Sequence, residues 1–153
     1  MEQKLINKTN NAKIFFLFTL LVSIFLFALS LNYKAFCVPH KCFESLNIVL
    51  SGWIGLMVLI PGLFWLANPL LWFSWILFFN RKISLRLNTS AFIISLCFLA
   101  LPKIMIDEGG SLREITSYKE GYWLWLGSSF ILVCGNIYRT LAHYNFDYKK
   151  FRF

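Results

Sequence analysis

Acidic side chains are scarce in this sequence, and charge of either sign is missing from two long stretches. Seven Asp and Glu stand against fifteen Lys and Arg in 153 residues, and charged residues make up only 14% of the chain. A water-soluble domain carries roughly a quarter. No charged residue occurs in residues 14–31 or in residues 46–79. Blocks of this kind exclude an alternation of buried and solvated faces, and they predict lipid as the solvent for most of the chain. No ionisable residue falls at the middle of an apolar stretch, which argues against a proton-coupled pump, an ion-binding transporter or an intramembrane protease. There is no phosphate-binding glycine loop, nucleophile elbow, pair of catalytic carboxylates or zinc-binding helix motif. Asp107 with Glu108, and Glu114 with Glu120, read as a solvated acidic loop. The chain has two His. His40 and His143 are expected on opposite sides of a membrane, and Cys37, His40 and Cys42 have only Glu44 nearby as a further ligand. No metal and no cofactor is expected. No repeat, low-complexity segment or linker divides the chain, so residues 1–153 are read as one transmembrane domain.

Hydrophobic residues supply 58% of the chain. Residues 14–31 form the first apolar stretch, about 27 Å long as a helix and close to the hydrocarbon thickness of a bilayer. It exceeds the apolar core of a signal sequence, about 7–15 residues, and more apolar stretches follow, so it is expected to stay as a first span. Further spans are expected at 46–66, 88–106 and 121–142, with Gly109-Gly110 turning the loop before the last. The run 46–79 is too long for one perpendicular crossing. Asn68-Pro69 is expected to break it near the cytoplasmic face, because proline lacks a donor and disfavours helix in the residue before it. Residues 70–79 then form a half-helix or re-entrant segment, and Asn68 caps the break. If the run crosses once, ten of the fifteen basic residues share one side. The positive-inside rule makes that side, with both termini, cytoplasmic. The expected fold is all-α: an integral membrane four-helix bundle with an extra broken or re-entrant half-helix. The net charge of +8 is assigned to cytoplasmic loops near anionic headgroups. No basic stripe with interleaved aromatics accompanies it, so nucleic acid is not an expected partner.

Small-residue pairs, Ser51 with Gly55 and Ser128 with Gly135, allow close helix packing, within the bundle or against a partner. Cys97 and Cys134 lie in apolar stretches and read as small buried hydrophobes. Cys37 and Cys42 fall in the loop expected outside the cytoplasm, where disulfides persist. They read as a staple of that loop or as a redox pair whose thiol pKa His40 and Lys41 would lower. In size, expected topology and first-loop cysteines the chain resembles the four-helix membrane oxidoreductases that pass electrons from periplasmic disulfide chemistry to quinone. It departs from them in the wider Cys37–Cys42 spacing and in the lack of cysteine between Asp107 and Glu120. Gly52-Trp53-Ile54-Gly55-Leu56, Trp65-Leu66-Ala67-Asn68-Pro69 and Gly121-Tyr122-Trp123-Leu124-Trp125 together resemble small uncharacterised bacterial inner-membrane proteins. That resemblance implies a multi-pass inner-membrane location and no particular activity. The expected function is non-enzymatic: an accessory or immunity-type membrane protein acting by contact with the bilayer and with a membrane-protein partner or a second copy. The alternatives are a thiol-disulfide oxidoreductase using Cys37 and Cys42, and a channel or carrier subunit built on the Asn68-Pro69 break.

Overall fold

Neither glycine nor proline occurs in the first thirty residues, and one uninterrupted helix, α1 (Glu2–Ser30), forms there. The computed structural model describes the backbone of residues 2–58, 60–105 and 112–150, with side chains described for 10–56, 62–104 and 112–143. The expected Gly109-Gly110 turn, and Asp107 with Glu108, lie outside the described residues. Within α1, Asn10–Ser30 is long and apolar enough to cross a membrane, the one such helix among the described residues.

The last helix, α6 (Glu120–Lys150), lies antiparallel along α1. Phe15 meets Tyr138 with ring centroids 5.0 Å apart, Thr19 meets Gly135, and the Ser23 and Ser128 hydroxyls lie 3.2 Å apart. A Cβ on Gly135 would overlap the Thr19 side chain, so glycine sets how closely the two axes approach. Helix α5 (Arg81–Phe98) runs antiparallel to α6, with Ser84 near Asn136 and Ser95 near Tyr122. Asn80 starts it: the side-chain oxygen accepts from the Ile83 amide at 3.3 Å.

Between α1 and α5 the apolar run is not a single span. It divides into α2 (Ser45–Ser51), a 3₁₀ segment (Gly52–Val58), α3 (Ile60–Trp65) and α4 (Ala67–Ile76). The chain leaves along α2 and the 3₁₀ segment and doubles back along α3, so that Trp65 Nε1 donates to the Val49 carbonyl at 2.9 Å. Gly62 permits the reversal, because a side chain there would occupy the backbone of Gly55 and Leu56. From Asn68, which receives a hydrogen bond from Trp125 near the start of α6, α4 descends to the turn where Phe78 meets Arg139. The two contacts are about 21 Å apart along α6. The reversal therefore belongs to the first half of the run. Residues 70–79, expected as a half-helix or re-entrant segment, lie mostly in α4, ten residues or about 15 Å long.

The loops at the other end are pleated. Strands β1 (Lys34–Val38) and β2 (Lys41–Glu44) form a hairpin, and β5 (Ser117–Tyr118) pairs with the free edge of β1, giving the order β2-β1-β5. Strands β3 (Lys103–Met105) and β4 (Leu112–Glu114) make a second antiparallel pair, with Lys103 3.5 Å from Glu114. The all-α membrane four-helix bundle with an added half-helix is thus corrected. The chain is mostly helical but carries two small antiparallel sheets, and only one of its described helices qualifies by length and composition as a span. Three short helical pieces replace the span expected at 46–66, and α5 carries Arg81, Lys82 and Arg86 within its eighteen residues.

Large apolar side chains lie on the surface as well as in the core. Ile14, Phe18, Leu21 and Phe25 on α1 are 63–66% exposed, and Ile76 and Phe79 are 67% and 80% exposed. Sealed inside are Ser23, Ser74, Ser84, Asn88, Ser95, Ser128 and Asn136, each at 0% exposure. Around them pack Phe16, Leu20, Phe27, Leu71, Ala91 and Leu132, and a second cluster under the sheet comprises Phe36, Val38, Phe98, Tyr122 and Leu126.

Candidate functional site

Strand β1 is saturated on both edges. Its partners are β2 on one side and, on the other, the amides of Thr116 and Lys119, which donate to the Cys37 and Ala35 carbonyls at 2.8 Å each. Cys37 stands directly opposite Cys42 in the hairpin register and the two form a disulfide. Cys37 is buried and Cys42 exposed, so a thiolate approaching the bond would meet Cys42. Two residues, Pro39 and His40, close the hairpin. Proline holds the first near φ −65°, and His40 takes φ 68°, a left-handed conformation usually given to glycine.

Beneath the sheet lies a cavity of about 210 Å³, bounded by Phe36, Phe43, Phe98, Tyr122, Trp125 and Trp65. Asn68 reaches its wall with both amide atoms engaged: Nδ2 donates to the Trp65 carbonyl at 3.2 Å and Oδ1 accepts from Trp125 Nε1 at 3.0 Å. The Ser45 hydroxyl also borders the cavity and has no hydrogen-bond partner. Tyr118 donates its hydroxyl to the Phe98 carbonyl at 2.9 Å, and burial pushes that hydroxyl's pKa up from its ordinary value. The cavity is apolar, with few hydrogen-bonding groups at its edge, which suits a hydrophobic ligand or side chain better than a polar substrate.

A polar seam runs from this cavity toward the far end. Tyr122 donates to the Ser95 carbonyl at 2.7 Å, and Trp75 Nε1 donates to Ser23 Oγ at 3.1 Å beside Ser128. Farther along, Ser74 and Ser84 exchange hydrogen bonds, each hydroxyl donating to the other's carbonyl at 3.0 and 3.1 Å. Asn136 Nδ2 adds a bond to Ser84 Oγ at 3.3 Å. Both amide atoms of Asn88 are buried without a partner. Nothing in the reading of the sequence singled this seam out, although its signal is present. Thr19, Ser23 and Ser30 on α1, and Ser84, Asn88 and Ser95 on α5, share the spacing i, i+4, i+11, one helix face in each case.

Of the small-residue pairs, Ser128 and Gly135 lie inside the α1–α6 contact, whereas Ser51 is exposed and borders the cavity with Gly55. Asn68 and Pro69 sit in the first turn of α4; the helix breaks just before them, at Leu66. Cys97 and Cys134, expected to be buried, are exposed on the helix surfaces and far in sequence from the disulfide. Their faces point away from the seam because polar residues occupy the inward positions. Among the described residues, no group of three or more His, Cys, Asp or Glu is placed to hold a metal ion. Compared with known proteins, the chain matches no family model, no curated protein and no solved structure.

Proposed function

We propose that the chain is a multi-pass protein of a bacterial inner membrane that works by contact, as an accessory or immunity-type component, rather than by catalysis. The exposed apolar side chains and the buried hydroxyls and amides support the location. Large apolar side chains on the outside and hydroxyls and amides within are stable when the surrounding solvent is lipid, where a polar group outside the protein would find no partner. Lys13, Arg81, Lys82 and Arg139 gather at one end. The positive-inside rule then favours that end, and the termini, on the cytoplasmic side and the disulfide-bearing sheet outside.

The contact reading rests on the hairpin of α2, the 3₁₀ segment and α3. It packs chiefly against itself, and it leaves Leu50, Trp53, Ile54 and Leu63 at least half exposed. Exposed apolar side chains on a weakly anchored element suit a helix of another membrane protein, or the same hairpin of a second copy. A photo-crosslinking side chain at Leu50 or Trp53 should yield a discrete protein adduct in cells, while one at Leu21 should label lipid. Equal lipid labelling at all three positions, together with a chain that runs alone in mild detergent, sinks the reading.

The oxidoreductase reading is favoured by one observation, the exposure of Cys42 next to an apolar cavity. Trapping thiols in cells with an alkylating reagent separates the two. A mixed-disulfide adduct at Cys42 favours exchange chemistry; a pair that stays oxidised under all redox conditions favours the staple. The channel or carrier reading draws no support from Asn68, whose amide is fully engaged.

A further inference from the structure

At the end opposite the sheet, α1, the turn between α4 and α5, and α6 border an open cavity of about 640 Å³. Lys13, Arg81, Lys82, Arg139 and His143 line it, and among the described residues no carboxylate does. Among the described residues the ion pair present is Lys103–Glu114, which belongs to the sheet end. The cations of the cavity are nevertheless held in place. Arg139 donates through Nη1 to the Phe78 carbonyl at 2.6 Å and stacks over the Phe16 ring at 4.7 Å. Arg81 has its Nη1 sealed from solvent without a hydrogen-bond partner. Arg81 and Lys82 also open α5, whose first turn has no acidic residue, so two cations occupy the positive end of a helix dipole. The unpartnered Arg81 nitrogen and the two cations at the helix start are each electrostatically unfavourable alone, and one anion would relieve both.

We propose that this cavity binds a phosphate-bearing anion. Arg81 and Arg139 supply guanidinium groups for its oxygens, and Lys13 and Lys82 add charge. The source is either the headgroup of an anionic phospholipid or a free phosphate. The lipid source rests on the membrane location proposed above; the phosphate chemistry does not.

Native mass spectrometry of the full chain, purified in a neutral detergent and offered equal phosphatidylglycerol and phosphatidylcholine, tests the site. Preferential retention of phosphatidylglycerol, reduced about tenfold or more in Arg81→Gln/Lys82→Gln, assigns the site to a lipid headgroup. Inorganic phosphate at millimolar concentration, titrated separately and read by thermal unfolding, gives the second arm. A melting-temperature rise with phosphate, lost in the same double variant, without lipid preference, assigns it to a free phosphate. Arg139→Lys keeps the charge and should retain binding if its far-UV circular dichroism matches that of the parent. Absence of preference and of phosphate stabilisation, or equal responses from parent and folded double variant, overturns the proposal. Failure of the membrane reading has its own signature: a chain soluble and monodisperse without detergent, in which the phosphate titration still tests the cavity.

Discussion

The two ends of the molecule are closed by different means. At the sheet end, strands pair with strands, a disulfide joins β1 to β2, and the cavity beneath is apolar with its single amide satisfied. At the other end, cations gather around an open cavity, and an arginine nitrogen is left without a partner. Covalent and backbone bonds need no ligand to complete them, whereas a cluster of like charges does. The first end is a finished lid. The second has the electrostatics of a receptor, and the Ser/Asn seam between them holds the helices in register.

Substitutions that act on one end and spare the other would sharpen this contrast. The largest effect is expected from Gly135→Val, which forces α6 away from Thr19 and should cost about 3 kcal/mol. Unfolding in mild detergent measures the loss, and non-reducing electrophoresis should still show the Cys37–Cys42 bond. A disulfide that fails to form in this variant would mean that the two ends fold as one unit. Next is Cys37→Ser/Cys42→Ser. Releasing so short a loop should cost about 2 kcal/mol, and anion binding at the basic end should be unaltered. Lost anion binding there would show that the lid shapes the receptor.

Ser84→Ala removes the hydroxyl that donates to the Ser74 carbonyl and accepts from Asn136 in the seam, and about 1 kcal/mol is expected by equilibrium unfolding. Asn88→Leu in the same helix should cost less than Ser84→Ala, because neither amide atom of Asn88 has a partner to lose. The reverse order would show that Asn88 is satisfied by buried water. The smallest effect belongs to the hairpin turn. His40→Gly relieves a positive φ and should stabilise the sheet end by roughly 0.5 kcal/mol, set against the extra chain entropy of glycine. Hydrogen exchange of the β1 and β2 amides would detect it.

How much of this could be read beforehand depends on the range of the interaction. The apolar part of α1 was legible because fifteen apolar residues within 14–31, without glycine or proline, favour one regular helix. Pro61-Gly62 was visible as a breaker, yet breakers do not say whether a chain kinks or reverses. Trp65 reaching back to Val49, sixteen positions away, decided for reversal. The loop at 32–45 was legible as a loop with two cysteines, but its pleating was not. β1 is stabilised on one edge by β5, a segment about eighty residues later. The basic cavity shows the same limit. Lys13, Arg81, Lys82 and Arg139 counted correctly as a charge bias, while their convergence on one cavity needed three helix ends to meet.

By itself, the sequence determined where charge is absent, which stretches are apolar, and which two cysteines share a loop, because composition and local periodicity act within a few helical turns. Tertiary structure alone decided that the long apolar run doubles back, that the loops form sheets, that the hydroxyls and amides of α1, α5 and α6 face one another, and that the cations meet. Each of those outcomes depends on pairing groups tens of residues apart. Satisfying such buried groups is what selects one packing over another.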